Sequence, residues 1–265
     1  MSAAPIGTIR LVLALIGLTL WTLILAPFQW LFLRVWPRGA AVLPHLYHRG
    51  TTWMIGARVH VHGRLAHERP LLLVANHVSW LDIPVLSAVV PVSFIAKREM
   101  ITWPIFGWLA RGQRTVFVNR ADRRGAGRQA AEIAERLKAG DIMVLFPEGT
   151  TSDGNRVLDF NPSLLGAASG VARETGQAFV QPVALSYTRL HGMRADRTAQ
   201  RRIGWPGIVG LMPHLPDTIR QGALDVHVSF GEPVEMDATT RRRPLAEDLQ
   251  RTIRAMRVER MRDLH

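Results

Sequence analysis

The segment LLLVANHVSWLDIPVL, residues 71–86, joins a predicted strand to a predicted helix. The apolar run 71–75 is typical of a buried strand, and the polar Asn76 ends it. Pro84 places the start of the helix at about Leu81 or Asp82, because proline is tolerated in the first turn, where backbone amides lack partners within the helix. We therefore expect His77 in the loop and Asp82 at the start of the helix.

The spacing of His77 and Asp82 allows their side chains to meet across the loop. On one continuous helix, residues five apart would point about 140° away from each other. A carboxylate beside an imidazole fixes its tautomer and stabilises its charged form, which makes the histidine a competent general base. The alternative is structural: Asp82 caps the helix, alone or with Ser79, and His77 only fills the loop.

Strands and helices alternate along the rest of the chain. This order predicts an α/β fold with a largely parallel central sheet flanked by helices. In such sheets the functional groups gather at the strand ends. The predicted strands are 59–62, 71–75, 92–96, 114–118, 142–146, 179–187 with an interruption at Pro182, and 224–230; the predicted helices are 40–57, 82–90, 97–109, 126–138, 163–174 and 244–264, the last on the surface, while 203–215 gives no firm structure.

The N-terminal region contains a long uncharged stretch, residues 11–33. A helix of this length is sufficient to cross a hydrocarbon core of about 30 Å. Trp21, Trp30 and Arg34 have the character of interfacial anchors, while Pro27 predicts a kink or a re-entrant path. We assign residues 1–38 to a membrane-anchoring segment and residues 39–265 to a catalytic domain; a buried core helix is the alternative for the anchor.

The charge balance indicates an anionic partner. Lys and Arg outnumber Asp and Glu by 33 to 21, a formal net charge of +12, which suits nucleic acid or an anionic membrane surface. The apolar segment and the lack of a nucleic-acid-binding motif favour the membrane and no nucleic acid. The greater positive charge after the segment predicts that, if it spans, the rest of the chain is cytoplasmic. The absence of cysteine excludes disulfides and a thiol nucleophile.

Four sequence blocks together resemble those of the glycerolipid acyltransferases. They are NHVSWLD at 76–82, Lys97 with FVNR at 117–120, FPEGT at 146–150 and QPVAL at 181–185. Their order and spacing are similar to those of the bacterial lysophosphatidic acid acyltransferases, and the resemblance covers about residues 59–185 and the N-terminal segment. It implies a glycerolipid-acyltransferase-like domain preceded by a membrane helix or helical hairpin.

The resemblance also implies a reaction. A fatty acyl group would move from acyl carrier protein or coenzyme A to the free hydroxyl of a lysolipid, at the cytoplasmic side of a bacterial inner membrane, without a cofactor or metal. His77 would take the hydroxyl proton and Asp82 would orient His77. Backbone amides near the start of the helix are candidate donors to the developing oxyanion.

The acceptor site is implied by the second and third blocks. Glu148 would either bind the acceptor or order its loop, and a glycine next to it permits close approach of the backbone. Basic side chains of the second block could hold a phosphate. The predicted head-group residues are Lys97, Arg114, Arg120, Glu148, Gly149 and Thr150.

One position departs from the phosphatidate-forming pattern. Many such enzymes have E-G-T-R in the third block, with the arginine directed to the acceptor phosphate, whereas this chain has Thr151. Relatives that acylate lyso-ornithine lipid, an aminolipid without phosphate, are more similar here. We therefore favour lyso-ornithine lipid, with lysophosphatidic acid, or both acceptors, as the alternative. A basic membrane-surface protein without activity is the alternative of another class.

Overall fold

The computed structural model describes residues 5–119, 126–207 and 210–262. It confirms the predicted α/β class, with a nine-stranded, mostly parallel sheet. The helices are α1 Pro5–Val35, α2 Pro37–Ile55, α3 Asp82–Val89, α4 Phe106–Gly112, α5 Ala126–Lys138, α6 Gly166–Thr175, α7 Arg197–Ile203, α8 Leu211–Gln221 and α9 Arg242–Arg262, and short 3₁₀ helices lie at Arg98–Thr102 and Pro162–Leu165. The strands are β1 Ala57–His62, β2 Leu71–Ala75, β3 Ser93–Lys97, β4 Val116–Val118, β5 Met143–Leu145, β6 Ala178–Leu190, β7 Met193–Arg194, β8 Leu224–Phe230 and β9 Val234–Met236.

Strand β2 occupies the middle of the sheet, whose order is β1-β8-β6-β2-β5-β3-β4. All five of its residues are buried. Because side chains alternate along a strand, Leu71 and Leu73 enter one hydrophobic core, while Leu72 and Val74 enter the other. The first core includes residues of α3, and the second includes residues of α5, α6 and α9. The continuous apolar run before His77 thus reflects burial on both faces.

Strand β6 continues through Pro182, where the sequence predicted an interruption. The strand pairs with β9 before this residue, over 178–180, and with β8 after it, from 183 onward. The missing amide of Pro182 therefore falls where the strand changes its antiparallel partner, so no ladder hydrogen bond is lost there.

Other boundaries also differ from the sequence prediction. The predicted helix 97–109 is a 3₁₀ helix followed by α4, with Pro104 between them, because proline does not continue a helix. α8 forms where no firm structure was predicted. α9 is not a free surface helix, since Leu245, Leu249 and Ile253 are buried in the second core.

Helix α1 lies along the α/β domain and contacts it near both ends. The helix continues through Pro27, which does not end it. Near its start, Arg10 donates to the carbonyls of Ile55 at 2.7 Å and Ile219 at 3.0 Å. Near its end, Gln29 donates to the carbonyl of Gly112 at 2.6 Å. These contacts are 19 residues apart in sequence, or about 28 Å along a helix.

Candidate active site

The parallel strands β2 and β5 bring the first and third sequence blocks to one edge of the sheet. Their register pairs Val74 with Leu145. Continued for three residues, it places His77 opposite Glu148, and the His77 amide donates to Glu148 Oε1 at 2.8 Å. The sheet itself therefore brings together residues that are 71 positions apart in sequence.

Asp82 is completely buried and holds His77 through a short hydrogen bond. The distance from His77 Nδ1 to Asp82 Oδ2 is 2.7 Å, and the two side chains are 17% and 0% exposed. The same oxygen accepts from the amides of Val78 at 2.6 Å and Ser79 at 2.9 Å. The carboxylate thus both holds the loop amides and orients the imidazole, while α3 has no side-chain cap hydrogen bond.

The hydrogen bond defines the role available to each imidazole nitrogen. Because the Asp82 carboxylate accepts, Nδ1 carries the proton and Nε2 is left as the basic nitrogen. The ring also stacks on Phe146, with centroids 4.0 Å apart and planes at 13°. The imidazole is therefore fixed both at one edge and on one face. His77 also lines an apolar cavity, so a molecule bound in that cavity can reach the imidazole ring.

Three of the backbone amides at or just before the start of α3 are already engaged. Those of Val78 and Ser79 donate to Asp82, as described. The amide of Asp82 donates to the carbonyl of Ser79 at 3.1 Å. None of these three amides is available to an oxyanion without breaking a hydrogen bond.

Tyr187, which sequence reasoning did not identify, completes the environment of Asp82. Its hydroxyl donates to Asp82 Oδ1 at 2.7 Å. Burial and the neighbouring carboxylate raise the pKa of Tyr187 well above its ordinary value, so the phenol remains a donor. Tyr187 follows the fourth block on β6, and only the pairing of β6 with β2, Ala75 opposite Val183, reveals that it reaches Asp82.

Asn76 extends the contact between the same two strands beyond the end of β2. Its side chain donates to the carbonyl of Leu185 at 3.1 Å and accepts from the amide of Leu185 at 2.8 Å. A side-chain amide therefore substitutes for a backbone peptide group in the ladder. It fixes the start of the His77 loop relative to the strand that carries Tyr187.

Glu148 orders its loop and the His77 loop. Its two carboxylate oxygens accept from the amides of His77 at 2.8 Å and Leu158 at 3.0 Å. Burial raises the pKa of Glu148 to about 8, and the two amide hydrogen bonds partly oppose that rise. Of the two roles predicted for this residue, these contacts favour ordering of the loop over direct binding of the acceptor.

This pKa predicts a pH-dependent effect of Glu148→Gln on stability. Because the pKa in the folded state is raised from 4.5 to about 8, the folded protein holds the proton more tightly than the unfolded chain. The contribution of this group to the free energy of unfolding is fully present at acidic pH and is lost as the pH rises to about 8. Glutamine cannot ionise, so the free energy of unfolding of the variant should improve relative to wild type between about pH 5 and about pH 8.

Chemical unfolding in detergent across that range would measure the difference. The variant also leaves one amide without its acceptor, a pH-independent cost of about 1–3 kcal/mol. Glu232→Gln, at an exposed position, is the matched control and should track wild type. A difference between Glu148→Gln and wild type that stays constant with pH would contradict the raised pKa.

The predicted head-group residues fall into two groups in the structure. Lys97, Gly149 and Thr150 line the same cavity as His77. Gly149 has φ +71°, a conformation that favours glycine. Among the described residues that line the cavity, Lys97 is the only one with an acidic or basic side chain apart from histidine.

Arg114 is placed elsewhere, and Arg120 lies outside the described residues. The Arg114 guanidinium donates to both carboxylate oxygens of Asp141, at 2.8 and 3.2 Å. Arg136 pairs with the same carboxylate at 2.8 Å. Arg114 does not line the cavity, and its guanidinium is engaged with Asp141, so its predicted role in holding the head group is not supported.

The cavity has a volume of about 880 Å³ and is predominantly apolar. It extends from His77 between the N-terminal helices and the region around α4. Its apolar lining includes Leu18, Leu25, Ile83, Phe106, Leu109 and Leu215. The structure therefore places an imidazole that is hydrogen-bonded to a buried carboxylate at one wall of an apolar cavity.

Comparison with known proteins identifies the family. The model of the Acyltransferase family matches residues 58–186, which contain all four blocks. The chain belongs to the acyltransferase family. It is 52% identical to the lyso-ornithine lipid O-acyltransferase of Brucella abortus (strain 2308) over 253 residues, which cover 95% of each chain.

Two further comparisons involve a second curated protein and a solved structure. The chain is 40% identical to the 1-acyl-sn-glycerol-3-phosphate acyltransferase of Neisseria gonorrhoeae over 146 residues, 54% of this chain and 55% of that protein. The crystal structure of the 1-acyl-sn-glycerophosphate (LPA) acyltransferase from Thermotoga maritima has a TM-score of 0.66 and 20% identity, and 96% of each chain is covered. The family match and the relative that covers nearly the whole chain identify it as an acyltransferase rather than a protein without activity, and the solved structure shows its fold.

Proposed function

We propose that this enzyme transfers a fatty acyl group from a thioester donor to the free hydroxyl of a lysolipid. The observation that carries the proposal is the pair of His77 and Asp82 at an apolar cavity. His77 Nε2 takes the hydroxyl proton as the oxygen attacks the thioester carbonyl. When the carbon–sulfur bond breaks, the same nitrogen returns the proton to the departing thiolate, so the enzyme is unchanged at the end of the cycle.

The acyl donor is acyl carrier protein or coenzyme A carrying a fatty acid. Burial of the acyl chain in the cavity would stabilise the complex by about 0.8 kcal/mol for each CH₂ group removed from water. The proposed step needs neither a metal nor a redox cofactor, because the base and the leaving thiolate complete the proton transfer.

We favour lyso-ornithine lipid as the acceptor, with lysophosphatidic acid as the alternative. Ornithine joined to a fatty acid through one amine keeps a carboxylate and a second amine. The single charged side chain in the described cavity lining, Lys97, matches one carboxylate better than a phosphate dianion. The similarity over nearly the whole chain to a lyso-ornithine lipid O-acyltransferase supports the same choice.

The test is acyl transfer by the purified, detergent-solubilised protein with labelled acyl donor. Lyso-ornithine lipid and lysophosphatidic acid are offered separately at equal concentration. We expect the larger kcat/KM for lyso-ornithine lipid. A clear preference for lysophosphatidic acid would make the alternative correct, and the absence of product from both would overturn the proposed function.

We further propose that α1 and α2 lie in one leaflet of the bacterial inner membrane, with the α/β domain at the cytoplasmic face. Residues 6–35 are long and apolar enough to cross a membrane, and most of this stretch is exposed. Both ends of α1, however, are hydrogen-bonded to the same domain, through Arg10 and Gln29. A helix held at both ends by one cytoplasmic domain is better accommodated in the membrane plane. On this view α2 extends the anchor beyond residue 38.

Cysteine labelling would distinguish the two arrangements. The chain has no cysteine, so Ile6→Cys and Val35→Cys, both at exposed positions, introduce single labels at opposite ends of α1. In sealed inside-out vesicles an impermeant maleimide should reach both positions, and in intact spheroplasts it should reach neither. Labelling of Ile6→Cys from the outer side alone would show that α1 spans the bilayer.

A further inference from the structure

Trp103 and Trp205 form an aromatic pair beside the His77 loop. Their ring centroids are 6.1 Å apart, and their planes meet at 72°. The amide of Trp205 donates to the carbonyl of Val78 at 2.9 Å, one residue after His77. Both tryptophans line the cavity that His77 lines, so a molecule bound at His77 lies next to this pair.

Thr151 fixes the position of Trp205. The residue is 7% exposed, and its hydroxyl donates to the carbonyl of Trp205. The next amide, that of Ser152, donates to the carbonyl of His77 at 2.9 Å. The residue that distinguishes this loop from the arginine-containing pattern is therefore occupied in holding an aromatic residue at the site.

The charges around the cavity restrict how a cation could bind. No aspartate or glutamate is among the described residues that line it. An ammonium group in this cavity would therefore have to be stabilised by something other than a carboxylate. The faces of aromatic rings attract cations within about 6 Å of their centroids, and tryptophan does so most strongly.

We infer that Trp103 and Trp205, the latter positioned by Thr151, bind the ammonium group of the acceptor and determine its head-group specificity. The inference rests on the proposed transfer to a lysolipid and names the contacts that select an aminolipid. Lys97 would hold the carboxylate of the same head group. Amine and carboxylate would then be recognised by separate parts of the cavity.

The test compares lyso-ornithine lipid with the same lipid whose side-chain amine is acetylated, which removes the positive charge and adds an acetyl group. For wild type we expect a preference of about tenfold in kcat/KM for the free amine, mainly through KM, as a cation–π contact allows. Trp103→Leu and Trp205→Leu, which keep an apolar side chain without a ring, should bring the ratio close to one. Trp103→Phe should give an intermediate ratio.

Thr151 offers a matched pair of variants. Thr151→Val removes the hydroxyl at nearly constant shape and should reduce the preference for the free amine, whereas Thr151→Ser keeps a donor and should retain it. Thermal unfolding identifies any variant that fails to fold. If the leucine variants fail, Trp103→Phe and Thr151→Val decide the question.

The outcomes separate this inference from the proposed function. If wild type acylates both acceptors equally, or if the folded variants retain the full preference, the inference is overturned while acyl transfer to a lysolipid stands. If wild type acylates no lysolipid, the proposed function fails, and the inference fails with it.

Discussion

Replacement of His77 with alanine is expected to lower kcat by about 10²–10⁴-fold, the usual contribution of a positioned general base. The acceptor hydroxyl would then have to lose its proton to water, while the apolar cavity remains in place. The substitution should change kcat more than KM, because the imidazole accepts the proton during the chemical step and contributes little to binding of the acceptor. Steady-state acyl transfer with labelled donor, over a range of acceptor concentrations, measures both parameters.

The chain offers a matched control for this variant. His67 is exposed, and it does not line the cavity, so His67→Ala should retain the activity of wild type. Thermal unfolding of His77→Ala should be near that of wild type, because the imidazole is still 17% exposed and its loop is also held by backbone contacts. Activity of His77→Ala within a few-fold of wild type would exclude the general-base mechanism.

Replacement of Asp82 with asparagine is expected to lower kcat by a similar factor, about 10²–10⁴-fold, because the tautomer and orientation of the base depend on it. Asp82 accepts from His77 Nδ1, two backbone amides and the Tyr187 hydroxyl. Asparagine has only one accepting oxygen, and its NH₂ group would face one or more of these donors. Nδ1 could then lose its acceptor, and Nε2 would no longer be held as the basic nitrogen.

The Asp82 variant should also be less stable, unlike His77→Ala. Each buried donor left without an acceptor costs about 1–3 kcal/mol, so we expect a loss of about 2–4 kcal/mol in the free energy of unfolding. Tyr187→Phe removes one of the four donors and leaves the His77 contact intact. It should therefore be closer to wild type in kcat than Asp82→Asn. Equal activity of Asp82→Asn and wild type would show that the carboxylate only supports the loop.

Local sequence patterns predicted several helices and strands, because the spacing of apolar residues reflects which faces of a segment are buried. The run 71–75 is apolar throughout, since β2 is covered on both faces, and β8 was predicted with its observed limits, 224–230. Helix α5 was also predicted correctly, because its apolar residues recur with helical spacing. The pairing of His77 with Asp82 followed from a spacing of five residues across a helix start that Pro84 marks. Pro182 was misleading, since β6 continues through it.

The order of the blocks in the sequence also determined the family and the expected chemistry, because the same short motifs carry both. The tertiary structure alone decided which distant residues serve the site. Tyr187 reaches Asp82, and Glu148 reaches the His77 amide, through the registers of β6 and β5 with β2, which depend on the packing of the whole sheet. The pairing of Arg114 with Asp141 likewise depends on how the folded chain packs. Strand order, register and helix packing are properties of the folded chain as a whole, so one-dimensional spacing could not specify these contacts.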